Sequence, residues 1–274
     1  MSCELADLLC LGRLVGDVAR DEIMPRFEHL ALADVRQKTS AFDIVTEADE
    51  RAEAAIASAL HARYPGAIVI GEESSHKDPS LPRSIDAADL AFIVDPLDGT
   101  KNFASGLPLF GVMVAATVAG EVVAGLIHDP VRRTTAYALK GAGAWLARSD
   151  GERIPLQVAA PVPLSEADGI VGTNFLPEPM RSRVNSRLSR FATTAWFRCA
   201  AHEYRLAAGG GVHVLFYNRL MPWDHAAGWL IHQEAGGFSA HFDGRPYRPS
   251  HMSGGLICTP DEASFHATRA ALLE

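Results

Sequence analysis

Ten residues, VDPLDGTKNF at positions 94–103, restrict this chain more than any other stretch. They complete the apolar run AFIV, end it on a carboxylate, Asp95, and offer a second, Asp98, beside Gly99. A short apolar run bounded in this way reads as a buried strand. Asp-Gly is a frequent turn dipeptide, and an Asp after a strand caps a following helix, so either acid taken alone has an ordinary structural explanation. Pro96 makes the pair harder to explain that way, because its fixed φ gives a stiff turn that can hold both carboxylates toward one point. Carboxylates that close repel, and one takes up a proton unless a cation intervenes. Oxygen ligands suit Mg²⁺ or Mn²⁺.

Further acids stand at comparable places. AIVIGEES also runs from apolar into acid, at Glu72 and Glu73, which predicts two buried strands ending at a shared edge. Asp224 opens the helical stretch WDHAAGWLIHQEAGG, and DIVTEAD supplies Asp43, Glu47 and Asp49. Asp224 and Asp49 each also read as plain helix caps. Gly99 and Thr100 add a helix opening with free backbone N–H groups and a positive dipole end, plus a hydroxyl able to hold a water. Carboxylates, divalent cations and a phosphate cradle together describe metal-assisted phosphoester hydrolysis.

The rest of the 274-residue chain sets the frame: one large domain or two small ones, with length enough to bury a core. A net charge of −8 disfavours a nucleic-acid binder that works by bulk charge. The start does not read as a signal peptide and no apolar run reaches the length of a membrane span. Cys3, Cys10, Cys199 and Cys258 form no CxxC pair, so a reducing cytoplasm is the simplest setting. Apolar spacing predicts an amphipathic helix over residues 3 to about 29 and a second over 47–63, with a polar loop around a short β-prone centre between them. Residues 110–139 read as a meander. Beyond the connector PVPL, GIVGT, TAWFR, VHVLFY and GGLICT read as strands, with helices near 178–191 and 200–209, over WDHAAGWLIHQEAGG and at the C-terminus. This predicts layered αβ sheets in two halves, 1–160 and 161–274, with the boundary near 150–165.

FDIVTEAD, GEES, VDPLDGTKNF and WDHAAGWLIHQEAGG, in this order and spacing, resemble the signatures of the inositol monophosphatase family, and the resemblance extends over nearly the whole chain. It implies an αβαβα layered sandwich of the sugar-phosphatase type and a Mg²⁺-dependent phosphomonoesterase, often homodimeric. It also implies roles. Glu72, Asp95 and the Leu97 carbonyl hold a first metal; Asp95, Asp98 and Asp224 hold a second; a third leans on Glu72 and water. Asp49 and Thr100 pair to activate the attacking water, with Glu72 touching it, and the N–H groups of Gly99 and Thr100 hold the phosphate. Lys38 matches a family lysine near the metals, or is a solvated loop lysine.

The alcohol is less determined. The family acts on inositol monophosphates, fructose 1,6-bisphosphate, histidinol phosphate and 3′-phosphoadenosine 5′-phosphate. The Asn102-Phe103 pair and Ala200, in a segment whose first alanines face the substrate ring, lean toward inositol 1-phosphate. Tyr217 stands where inositol monophosphatases commonly carry a Glu for ring hydroxyls, Lys101 replaces a frequent Thr, and SGLPLFG resembles the histidinol-phosphate branch. Glu203 could meet a cationic substrate but reads first as a helix-surface charge. His128, His202, His213, His225 and His241 show no metal-ligand spacing, and Trp223 and Trp229 read as core aromatics. A partner-binding protein on the same scaffold is the reading from another class.

Overall fold

The fold is described from a computed structural model for residues 5–28, 35–40 and 43–274, the side chains of residues 28–45 excepted. The N-terminal helix runs through Leu5–Val18 (α1), a wider-wound turn Ala19–Ile23, and Met24–Glu28 (α2); residues 3, 4 and 29 of its expected span lie outside the described residues. In place of the expected polar loop there is an antiparallel hairpin, Val35–Ser40 (β1) with Asp43–Thr46 (β2). Glu47–Arg63 (α3) follows as expected.

Seven strands then pair in sequence order: Ile68–Gly71 (β3), Ala91–Asp98 (β4), Gly111–Val118 (β5), Glu121–Asp129 (β6), Thr134–Leu139 (β7), Ala144–Ala147 (β8) and Arg153–Pro155 (β9). β3 and β4 are parallel, with Gly71 opposite Val94, so the two apolar-to-acid runs end side by side and deliver Glu72 and Asp95 to one edge. Glu72 does not continue the strand; it opens a short helix, Glu72–Lys77 (α4). A second short helix, Thr100–Ala104 (α5), follows β4.

The second sheet contains Asp168–Val171 (β10), Thr193–Ala195 (β11), Val214–Tyr217 (β12), Phe238–His241 (β13) and Leu256–Thr259 (β14), in the order β11-β10-β12-β14-β13. Its first three strands are parallel. The expected strand TAWFR stops at Ala195, and Arg198 is in the left-handed region at φ 57°, which no strand accommodates. Four helices complete this half: Met180–Arg187 (α6), Ala200–Ala208 (α7), Pro222–Glu234 (α8) and Glu262–Leu273 (α9).

Three apolar cores order the layers. Leu8, Val15, Ile56 and Leu60 of α1 and α3 pack on Phe92, Val94, Val112 and Val114 of the first sheet. Ile93, Met113 and Ala115 face the other way, toward Ala201, Tyr204, Ala227 and Ile231 of α7 and α8, which also meet Leu215 and Cys258 of the second sheet. Val171, Phe216 and Ile257 cover the far face of that sheet with Val184, Phe265 and Leu272 of α6 and α9. The result is the expected αβαβα sandwich, with α7 and α8 as the shared middle layer. The α7–α8 contact is tight: a Cβ on Gly228 would lie 2.1 Å from the ring of buried Tyr204. Gly228→Ala is expected to cost about 1–3 kcal/mol by overpacking, read as a lowered Tm.

Candidate active site

Strand parity explains how the site is assembled. In β4 the odd residues Ala91 and Ile93 face the middle layer, and Phe92 and Val94 face outward. Asp95 continues the odd face, but Asp98, three residues on, would point the opposite way in a regular strand. The ladder slips between them: Asp95 pairs with Met113 and Asp98 with Gly111. The extra residue on β4 is a bulge, sited where Pro96 has no N–H to give. It returns Leu97 to the outer core and brings Asp98 into the cleft with Asp95. Pro96 therefore acts inside a strand, not in the expected turn. The turn falls at Gly99, in the left-handed region at φ 87°, where a Cβ would lie 2.7 Å from the Leu109 carbonyl oxygen.

One cleft, about 340 Å³, gathers Glu72, Asp95, Leu97, Asp98, Gly99, Thr100, Ala200, Tyr217 and Asp224. Asp49 sits just behind it, fully buried. Its Oδ2 accepts from Thr46 N–H (2.8 Å) and Thr46 Oγ1 (2.6 Å) in a capping box, while Thr100 Oγ1 lies 3.0 Å from its Oδ1 and 3.0 Å from the Leu97 carbonyl oxygen. The cap and the partnership with Thr100 coexist on one carboxylate. Glu47, by contrast, is a surface residue paired with Arg51, and the side chains of Lys38 and Asp43 lie outside the described residues.

Asp98 is clasped from the middle layer. Its Oδ2 accepts from Ala201 N–H (2.6 Å) at the start of α7 and from the Cys199 thiol (3.0 Å). Burial raises its pKa to about 6, with these two bonds opposing and Glu72 adding to the rise. Burial, then the charges of Glu72, Asp98 and Asp224, pushes Asp95 well above the usual carboxylate range. Burial, then Glu72 and Asp98, does the same to Asp224, which is in hydrogen-bond contact with Asp95. As placed, no three described acidic, histidine or cysteine side chains close around one point. The donor set nonetheless fits a hard divalent cation: it is all oxygen, and buried acids that share protons and repel are stabilised by such a charge.

Three contributions were missed in the sequence or, for Glu203, ranked behind a surface role. Glu53, one turn after Asp49 on α3, is buried and accepts from the N–H groups of Glu73 (2.7 Å) and Ser74 (2.8 Å), fixing the start of the helix that carries Glu72. The signal for it was the i, i+4 spacing from Asp49. Glu53→Gln is expected to raise the Mg²⁺ concentration for half-maximal activity about tenfold, as loss of a ligand's supporting partner does; a metal titration of activity checks it. Glu203 is not a surface charge. It is 2% exposed, lines the cleft and accepts from Phe197 N–H (3.0 Å). Burial, reinforced by Asp98, raises its pKa to about 8. Arg181, Arg198 and Arg219 also line the cleft.

Tyr217 turns its ring to His225 (4.6 Å) and Tyr204 (5.3 Å), and its buried hydroxyl faces the Glu203 carboxyl group. His225 bridges Tyr204 Oη (3.1 Å) and the Arg219 carbonyl (2.8 Å). Burial lowers its pKa to about 4, so it serves as a neutral structural link. Cys10, Cys199 and Cys258 are free thiols.

The sequence model of the inositol monophosphatase family matches residues 9–274. The chain belongs to that family. A Thermotoga maritima protein named fructose-1,6-bisphosphatase/inositol-1-monophosphatase is 34% identical over 213 residues, covering 77% of each chain. A Pseudomonas aeruginosa protein named Nus factor SuhB is 34% identical over 237 residues, covering 82% of each. Among solved structures, a Thermotoga maritima IMPase superposes with a TM-score of 0.81 at 28% identity, covering 97% of each chain. A Bartonella henselae extragenic suppressor protein, suhB, superposes at 0.79 and 26%, covering 98% of each. The family supports phosphatase chemistry in general, and the layered fold agrees with it.

Proposed function

We propose that the chain is a Mg²⁺-dependent phosphomonoesterase that hydrolyses a small phosphorylated alcohol, with inositol 1-phosphate first among the substrates. The observation that carries this reading is the meeting of Glu72, Asp95, Asp98 and Asp224 in one cleft with the Thr100–Asp49 pair at its wall. Glu72, Asp95, the Leu97 carbonyl, Asp98 and Asp224 would hold two or three Mg²⁺ ions, or Mn²⁺ in their place. When bound, the metal supplies neutralisation of the phosphate dianion and a more acidic water. Asp49 accepts the Thr100 hydroxyl's hydrogen bond, which leaves the lone pairs of the Thr100 oxygen to accept from the attacking water and aim it, with Glu72 alongside. The N–H groups of Gly99 and Thr100, at the head of α5, receive phosphoryl oxygens. Ala200 and Tyr217 wall the space for the alcohol. Glu203, protonated at neutral pH, is able to donate to one of its hydroxyls.

Histidinol phosphate and 3′-phosphoadenosine 5′-phosphate are the alternative substrates. A non-catalytic, partner-binding role is the second reading, prompted by relatives named Nus factor SuhB; the intact set of acids favours turnover. We further propose that each chain is divided into the halves 1–160 and 161–274 and that two chains form a cytoplasmic homodimer. No described helix is long and apolar enough to cross a membrane.

The test is phosphate release from inositol 1-phosphate, histidinol phosphate, fructose 1,6-bisphosphate and 3′-phosphoadenosine 5′-phosphate, each with Mg²⁺ and with excess chelator. Metal-dependent release is expected, and its absence from every substrate rejects the reading. A pH signature accompanies it. Asp98, raised to about 6, and Asp95 and Asp224, raised by burial and by their acidic neighbours, hold protons that compete with the metal as pH falls. The rise in Tm on adding Mg²⁺ is therefore expected to be full near pH 8 and to shrink toward pH 5. Melting curves with and without chelator at both pH values measure it.

A further inference from the structure

The helix α7 does not cap itself. Its N-cap residue is Cys199, in extended backbone at φ −157°, and the thiol makes no capping bond to the helix. Sulfur is a weak acceptor, so the first N–H groups of α7 need another partner. Asp98 supplies it from the first sheet: its Oδ2 accepts from Ala201 N–H at 2.6 Å. The same oxygen accepts from the Cys199 thiol at 3.0 Å, and the sulfur lies 3.7 Å from the Asp98 carbonyl oxygen. The sulfur also packs against the phosphate turn, since a Cβ on Gly99 would lie 3.1 Å from it. Cys199 is 2% exposed and lines the cleft. Burial, then the charge of Asp98, pushes its thiol well above the ordinary range, so the proton stays on sulfur as a donor.

A carboxylate has two acceptor oxygens, and here two donors converge on one of them. Ala201 N–H alone would leave the carboxylate able to pivot about a single bond. A second donor, arriving from a side chain, removes that freedom. Oδ2 is thereby committed to α7, and Oδ1 remains for the cleft. Partners that orient a ligand in this way are worth about ten- to a hundredfold in metal affinity. We propose that Cys199 is a positioning residue for the cation site, its thiol orienting Asp98 so that Oδ1 is left to the cation. This rests on the phosphomonoesterase reading, in which Asp98 is a ligand, and deepens it. A side chain that only filled space at position 199 would be replaceable by any other of similar size. A hydrogen-bond donor would not.

Cys199→Ala and Cys199→Ser both remove the volume of the sulfur, but only serine keeps a donor, so the pair separates packing from the hydrogen bond. Calorimetric titration of the substrate-free protein with Mn²⁺ reads cation affinity apart from turnover. The alanine variant is expected to bind about tenfold more weakly, and the serine variant to stay within about threefold of the parent. In an Asp98→Asn background, adding Cys199→Ala is expected to change the affinity by less than about twofold, because the residue it acts through has already lost its charge. With substrate present, the alanine variant is expected to need about tenfold more Mg²⁺ for half-maximal phosphate release, while kcat at saturating Mg²⁺ stays within about threefold. Circular dichroism verifies folding, and Cys199→Val, which fills the space without a donor, takes the place of the alanine variant if that one does not fold. Equal affinity in the parent and the alanine variant, an equal loss in the alanine and serine variants, or no Mn²⁺ binding by the parent overturns the proposal. Weakened binding with alanine and recovery with serine, alongside no phosphate release from any substrate, rejects the catalytic reading and leaves the positioning role standing.

Discussion

Asp95→Asn is expected to lower phosphate release by about 10³-fold or more while the protein stays folded. Asp95 is the acid that both proposed metals share. It lies on the inward face of β4, fully buried, opposite Asp224 and beside the strand that delivers Glu72. An amide has the same shape but only one acceptor oxygen and no charge, so the shared ligand and its neutralising partner are both lost. The stability effect runs the other way. Burial and three neighbouring carboxylates already disfavour ionised Asp95, so the chelated variant is expected to melt no lower than the chelated parent, and its gain in Tm on adding Mg²⁺ is expected to disappear. Near-parental turnover, or an unchanged response to Mg²⁺, would reject the metal assignment.

Thr100→Val is expected to lower kcat by about 10²–10³-fold, within the range that a positioned proton-handling group contributes. Valine keeps the branched shape and removes the hydroxyl that lies 3.0 Å from both Asp49 Oδ1 and the Leu97 carbonyl. Asp49 keeps its capping contacts to Thr46, so α3 should still form and the fold should hold. Because Thr100 contributes no carboxylate, the Mg²⁺ dependence of the residual activity is expected to stay within a few-fold of the parent's. Steady-state kinetics across a Mg²⁺ series separates the two effects. A variant that loses metal response and turnover together would place Thr100 in metal binding instead.

Residues that carry their own chemistry were legible in the sequence. Apolar runs ending in acid located β3 and β4 because a buried strand tolerates a carboxylate only at its end. The meander and the long helices followed from period alone. Pairings that depend on long-range geometry were not legible. Asp95 and Asp98 share a cleft because of a bulge, and whether a ladder slips is decided by the partner strand. Glu203 was misread because a surface helix and a helix wedged between two sheets have similar sequences; α7 buries Ala200, Ala201, Glu203, Tyr204, Ala207 and Ala208. The hairpin β1–β2 was missed because its pairing is carried by backbone, and β13 because only four residues separate its flanking turns. TAWFR overran because the left-handed Arg198 has no signature in residue type.

Asp95, Asp98 and Glu72 leave strands of the first sheet, where each neighbour pins the next. Arg198 and Arg219 leave loops at the edge of the second, beyond the last hydrogen bond of β11 and β12. Mutational tolerance should differ accordingly between the two walls of one cleft. Changes at the loop positions can accumulate without disturbing the ladder that orders the acids, so new alcohols become reachable by small steps through active intermediates. The division of labour between a braced wall and a permissive one would let a lineage diversify its substrates while keeping a single way of breaking the phosphate ester.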